Sequence, residues 1–225
     1  MSKKEVGMTI QPRELAELFL AGEDERALEV VLGYLENHSH NELYHDLVTP
    51  AMYLIGDWWQ ENIISVADEH LATAVCDFVV SAAELKRKPK HGETRKVLVL
   101  GPEGEDHYIG LKMVTSLFRD HGWQVQYMGP NLPLDAALES AQRWKPDVIA
   151  MSAALAYRLP ALKTYSEAFR KLDFKPTVII GGRAVATADI SKLRTEGTLV
   201  VKDLPQLKNW LQTGKEMDND IDISI

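Results

Sequence analysis

Residues 96–110 read KVLVLGPEGEDHYIG. The first half is an apolar run of strand length, and the second is a polar loop rich in acids and glycine. A helical pattern, LKMVTSLFRDHG, follows at 111–122. Strand, loop, helix is the opening of a βαβ unit. Four further strand candidates recur downstream, at 124–128, 148–152, 177–180 and 198–201. Helical segments separate them, at roughly 108–120, 134–143, 160–171, 185–194 and 204–213. Short β-rich runs alternating with helices predict right-handed crossovers and a parallel, doubly wound sheet.

Upstream of this stretch the periodicity changes. From Pro12 to Leu85 apolar residues recur every three or four positions. Leu15, Leu18 and Phe19 form one stripe; Leu28, Val31, Leu32 and Leu35 form a second, after a cap at Asp24. A third holds Leu43, Leu47, Met52, Leu54, Ile55 and Trp58, with Pro50 placed to kink or begin that helix. Ser65 reads as the N-cap of a fourth, with Asp68 and Glu69 in its first turn and Leu71, Val75, Phe78 and Val79 as its stripe. No strand-like alternation interrupts this half, so it reads as a four-helix bundle. The expected organisation is a helical bundle at 8–85, a basic Pro- and Gly-containing linker at 86–95, a Rossmann-like α/β domain at 96–213 and an acidic tail at 214–225.

The bounds on function come from composition. The chain has 225 residues, 45% hydrophobic and 26% charged, with a formal net charge of -8. That balance opposes general nucleic-acid binding, which needs clustered Lys and Arg to neutralise phosphates. A single cysteine, Cys76, allows no internal disulfide. With no apolar signal-length N-terminus and no membrane-length apolar run, the expectation is a cytoplasmic protein.

In a doubly wound sheet, ligands bind beyond the carboxyl ends of the strands. Those ends carry GPEGEDHYIG, then MGPNLP at 128–133, MSAALAY at 151–157 and IIGGRA at 179–184. The dinucleotide fingerprint G-x-G-x-x-G and the phosphate loop G-x-x-x-x-G-K-[ST] are both missing from these loops. What they offer is Glu105, His107 and Gly110 after the first strand, Ser152 after the third, and Gly181 and Gly182 after the fourth. Taken singly, each is an ordinary loop histidine, a capping hydroxyl or a strand-to-helix glycine turn. Together, in this order at successive strand ends, they form a pattern.

Glu105-x-His107-x-x-Gly110, followed by Ser152 and by Gly181-Gly182, resembles the cobalamin-binding domain of methionine synthase, corrinoid carrier proteins and related sensors. The usual first motif is D-x-H-x-x-G, with Glu here in place of Asp. The second is S-x-L or S-x-T, of which only Ser152 carries over. The resemblance spans the whole chain, because a helical bundle normally precedes this domain. It implies His107 as the lower axial ligand of cobalt, an imidazole being a good donor to a transition metal. Glu105 would fix the ring tautomer. Gly110 would let the first helix start close beneath the corrin. Ser152 would bond the displaced dimethylbenzimidazole tail, with Gly181 and Gly182 leaving room for it.

GDWWQENIISVADEH at 56–70 narrows the branch. The spacing Trp59-x9-Glu69-His70 looks like the cap motif of CarH-type light-responsive regulators, in which those residues line the chamber of an adenosyl upper ligand. GPNLP at 129–133 resembles the same branch. Two positions depart from it. The chain starts almost directly at the bundle, without the winged-helix DNA-binding domain. Gln60 stands where those regulators carry a second, cobalt-trapping histidine. The sequence therefore points to a stand-alone sensor or photoreceptor. It would hold adenosylcobalamin, favoured over methylcobalamin, base-off and His107-on between cap and Rossmann-like domain. It would signal through a protein partner or self-association, without acting as an enzyme, on DNA or at a membrane. The alternative is a corrinoid carrier protein of a methyltransferase system. A photocobilin-like variant would bind a bilin as well, and no residue here assigns a bilin site.

Overall fold

The computed structural model describes residues 10–87, 94–187, 193 and 197–214. The chain divides into two compact units, Met1–Arg87 and Lys88–Ile225. The expected linker core at 88–93 and the acidic tail from 215 onward lie outside the described residues, as does most of the helix expected at 185–194.

Among the described residues the first unit has only helical elements: α1 (Pro12–Leu20), α2 (Asp24–Leu35), α3 (His40–Glu42), a π-helical segment Leu43–Val48, α4 (Thr49–Gln60) and α5 (Val66–Glu84). From α3 to α4 the backbone stays helical, so the bundle has four rods. Pro50 sits in the first turn of α4. Proline has no N–H to give to the carbonyl four residues back, and its ring crowds that carbonyl. The wide π turn just before it, in which the Thr49 N–H reaches the Tyr44 carbonyl, accommodates the chain at this point.

The core of this unit is Leu15, Phe19, Ala27, Val31, Leu43, Leu47, Ile55, Val75 and Val79, all buried. Each buried Leu, Val or Phe stabilises the bundle by roughly 1.5–3 kcal/mol. Ser65 caps α5 as expected: its hydroxyl accepts from the Asp68 N–H, and the Asp68 carboxylate accepts from the Ser65 N–H at 2.8 Å. The cap of α2 is Glu23, with Asp24 one residue inside the helix. The stripe expected on α5 is corrected by the structure. Val75 and Val79 are buried, whereas Leu71 and Phe78 are 44% and 46% exposed. The buried face runs through Ala72, Val75, Cys76, Val79, Val80 and Ala83, where small residues let α5 approach α1 and α2 closely.

The second unit is the expected α/β domain. Among the described residues five parallel strands, β1 (Lys96–Pro102), β2 (Gln124–Leu132), β3 (Val148–Ser152), β4 (Thr177–Gly181) and β5 (Thr198–Val200), form a sheet in the order β2-β1-β3-β4-β5. The helices are α6 (Ile109–Asp120), α7 (Leu134–Trp144), α8 (Leu159–Phe169), α9 (Arg183–Thr187) and α10 (Leu204–Thr213). Alternate strand residues go to opposite faces. Val97, Val99, Val148, Ala150 and Ile179 pack on α6 and α10. Leu98, Leu100, Ile149, Met151, Val178 and Ile180 pack on α7, α8 and α9. Both faces are therefore covered, as a doubly wound sheet requires.

Strand order reverses between β1 and β3, which makes the mouth between them the switch-point crevice. β2 runs four residues past its expected end, so Gly129, Pro130, Asn131 and Leu132 belong to the strand and not to a loop after it. Register shifts allow this: Leu100 pairs with Gly129 and Pro102 with Leu132, while Gly129 and Asn131 adopt positive φ of 80° and 54°. No helix among the described residues is long and apolar enough to cross a membrane.

Candidate functional site

The loop between β1 and α6 holds Glu105, His107 and Gly110 at the switch point. Glu105 is 1% exposed although it carries a carboxylate. A buried charge must find donors, and Glu105 finds three. Its Oε1 accepts from the His107 backbone N–H at 2.9 Å and from His107 Nδ1 at 2.5 Å. Its Oε2 accepts from the Ala154 N–H at 3.0 Å, across the crevice on the loop after β3. Burial pushes the Glu105 carboxyl up, but the hydrogen bonds from His107 and Ala154 outweigh it and hold the group below the usual carboxylate range. An ionised carboxylate only accepts, so His107 carries its ring hydrogen on Nδ1. In the neutral ring the lone pair is then on Nε2, the nitrogen that a metal would take. The His107 side chain is 55% exposed, against 1% for Glu105: a fixed base below and an accessible ring above.

The rest of the loop is pinned from β2 and α8. The Asn131 Oδ1 accepts from the Gly104 N–H at 2.7 Å, and the Asn131 N–H donates to the Glu105 carbonyl at 3.0 Å. The Tyr165 hydroxyl accepts from the Glu103 N–H and donates to the Leu132 carbonyl. Sequence reasoning missed Asn131, Ala154 and Tyr165. The Pro-Asn pair in GPNLP carried a turn signal that reveals Asn131 in retrospect. Ala154 acts through its backbone, and Tyr165 sits on a helix thirteen residues past Ser152; neither has a local signature.

The other expected residues fall around the same mouth. Gly110 is exposed in the first turn of α6, and a Cβ there would meet nothing within 4 Å. Ser152 ends β3 half-buried, paired with Gly181, and its hydroxyl makes no hydrogen bond among the described residues. Gly181 and Gly182 have packing reasons of their own. A Cβ on Gly181 would lie 3.3 Å from the Val201 carbonyl, and one on Gly182 would collide with the Ala153 backbone. Gly182 also holds φ at 101°, a region that disfavours side chains.

Trp59, Glu69 and His70 belong to the helical unit, at the α4 end and the α5 start. Trp59 is 42% exposed. Glu69 accepts from the Thr73 hydroxyl at 3.0 Å, and its other oxygen lies 3.1 Å from His70 Nδ1. His70 Nδ1 also lies 2.8 Å from the Val66 carbonyl. The three therefore stay at the surface of this unit and are not spent on its core.

The donor set after β1 is one oriented imidazole beside a glycine facing open space. A corrin brings its own equatorial nitrogens and needs from the protein an axial donor and clearance for a flat macrocycle. The residues fit that group: His107 would hold the cobalt, with Glu105 as its orienting partner and Gly110 leaving the clearance.

Comparison with known families agrees with this chemistry. A B12 binding domain model matches residues 95–201, and a second B12 binding domain model matches residues 12–84. The chain is a cobalamin-binding domain protein, with a helical cap-type domain and a Rossmann-like domain, similar to corrinoid proteins. It is 24% identical over 197 residues to the dimethylamine corrinoid protein of Methanosarcina barkeri, covering 86% of this chain and 90% of that one. It is 24% identical over 176 residues to the methanol–corrinoid protein of the same species, covering 76% and 67%. The structure of the monomethylamine corrinoid protein of Methanosarcina barkeri superposes with a TM-score of 0.71 at 16% identity, over 88% of this chain and 95% of that one, which shows a shared fold. These relatives are corrinoid proteins, and this chain shares the B12 binding domain with them. The light-sensor branch is not among these relatives.

Proposed function

We propose that the chain is a corrinoid carrier protein of a methyltransferase system. The carrying observation is the buried Glu105 carboxylate, tied to Ala154 across the switch point, which fixes His107 with Nδ1 protonated. When bound, cobalamin supplies a cobalt that can hold a methyl group between a donor and an acceptor. His107 would hold the cobalt through Nε2, with Glu105 setting the orientation of the ring and raising its basicity. Ser152, half-buried at the end of β3, would offer its hydroxyl to the nucleotide tail of the cofactor. The partner is a separate methyltransferase, because the relatives that cover most of the chain are named for dimethylamine and methanol systems.

This reading replaces the photoreceptor as the first choice. One observation still favours a light-responsive adenosylcobalamin sensor: Trp59, Glu69 and His70 have the regulator spacing and are all held at one end of the helical unit. Paired titrations of the apoprotein with methylcobalamin and adenosylcobalamin, followed by green illumination under anaerobic conditions, separate the two. A carrier binds both forms with comparable affinity and keeps its hydrodynamic size after photolysis. A sensor prefers the adenosyl form and changes size with light. Failure to bind either form contradicts both.

A further inference from the structure

Helix α5 presents a second face that its own bundle leaves largely uncovered, although the Leu71 side chain lies beside Gly22 of the turn between α1 and α2. Ala67, Leu71, Ala74, Phe78, Ser81 and Leu85 are all exposed, Leu71 at 44%, Phe78 at 46% and Leu85 at 86%. Their spacing alternates four and three, the heptad seam of a coiled coil. Leu85 follows the last helical residue with φ -66° and ψ -20°, so it continues the row. Large and small residues alternate strictly along it.

We propose that this face pairs with the same face of a second copy of the chain, as an antiparallel two-fold helix pair. In a two-fold contact, residue i meets j and j meets i. With Ala74 set opposite Phe78, the antiparallel register also sets Leu71 opposite Ser81 and Ala67 opposite Leu85. Every layer is then one large against one small side chain, in both directions. A parallel in-register pair would set Phe78 against Phe78 and Ala74 against Ala74, alternately crowding and opening the seam. Such a seam is about 27 Å long at 1.5 Å per residue. One helix pair of that length buries on the order of 1,000 Å², the lower range of specific interfaces, so the dimer is a weak one in the micromolar range. Asp77 flanks the seam and meets its own symmetry mate near the two-fold axis, a like-charge contact that further limits affinity.

The test is sedimentation velocity on the full chain, from about 1 to 200 µM, a span chosen around the micromolar affinity of such a contact. A reversible monomer–dimer equilibrium is expected. Phe78→Glu weakens it by about 100-fold, since each dimer loses two buried aromatic contacts. Asp77→Asn strengthens it and reduces its salt dependence. Phe78 is exposed and Asp77 half-buried, so circular dichroism and thermal melts check that each variant keeps its helices and its fold. The register is read by cross-linking: Ala67→Cys combined with Leu85→Cys gives a disulfide-linked dimer, and neither single variant does. A monomer throughout that range overturns the proposal. So does a dimer that Phe78→Glu leaves unchanged, because its interface then lies elsewhere.

Discussion

Replacing Glu105 with Gln is the most informative single change in this protein. The carboxylate is 1% exposed and accepts three hydrogen bonds, two from His107 and one from Ala154. A glutamine amide has one accepting oxygen. If that oxygen serves His107, the amide nitrogen faces the Ala154 N–H, donor against donor. If it flips to serve Ala154, both His107 donors lose their acceptor. Either way a buried N–H is left unsatisfied, at about 1–3 kcal/mol, and the charge assistance of the remaining bonds is lost. The expected destabilisation of the apoprotein is about 2–4 kcal/mol. That lowers its thermal midpoint by roughly 4–16 °C for a chain of this size. With its orienting carboxylate gone, His107 also becomes a poorer ligand, and cobalamin affinity falls about 10–100-fold. Differential scanning calorimetry of the apoprotein and an absorbance titration with hydroxocobalamin measure the two effects separately. A Glu105→Gln variant with the wild-type midpoint and the wild-type affinity would refute the role given to Glu105.

Further predictions use the other loop residues. Gly182→Ala forces a methyl group into the Ala153 backbone at a φ of 101°; the apoprotein loses about 2–4 kcal/mol in urea denaturation. Gly110→Leu has open space around the new Cβ, so urea denaturation shows apo stability equal to or slightly above wild type, since glycine is a poor helix former. The same variant binds cobalamin at least about 10-fold more weakly, through loss of clearance, as an absorbance titration would read it. The Asp68 carboxyl is held below its usual range by the Ser65 hydroxyl and N–H, with burial opposing. Its contribution to α5 is therefore complete above the ordinary value of 3.8 and is lost as pH falls through the lower, folded value. NMR titration of the Asp68 carboxyl carbon should place its midpoint below 3.8, and Ser65→Ala should raise it.

Much of this architecture is legible in the sequence, because the signals are local. The strand cores of β1, β3 and β4 are short apolar runs between breakers, and Ser65 with Asp68 is a capping pair that any chain would use. The motif Glu105-x-His107 is legible for the same reason: donor and acceptor lie two residues apart on one loop. What failed depends on tertiary contacts. Leu71 and Phe78 share the helical spacing of core residues, yet the bundle packs its helices on the row through Ala72, Val75 and Val79. β2 continues through Gly129 and Asn131 because left-handed residues absorb a register shift that no propensity scale encodes. The packing limits on Gly181 and Gly182, set by the Val201 carbonyl and the Ala153 backbone, are tertiary in the same way. The Ala154 N–H, which completes the shell around Glu105, is invisible to any reading of side chains.

The most direct test of the axial role of His107 is electron paramagnetic resonance of the chain loaded with cob(II)alamin, with histidine labelled by nitrogen-15. If His107 Nε2 is the lower ligand, the superhyperfine triplet on each resolved cobalt line of the unlabelled protein becomes a doublet on labelling. In the labelled protein, His107→Ala abolishes the doublet, leaving no nitrogen splitting or the triplet of the cofactor's own benzimidazole. A triplet that survives labelling would mean that the cofactor keeps its own benzimidazole, and the assignment of His107 as axial ligand would be wrong.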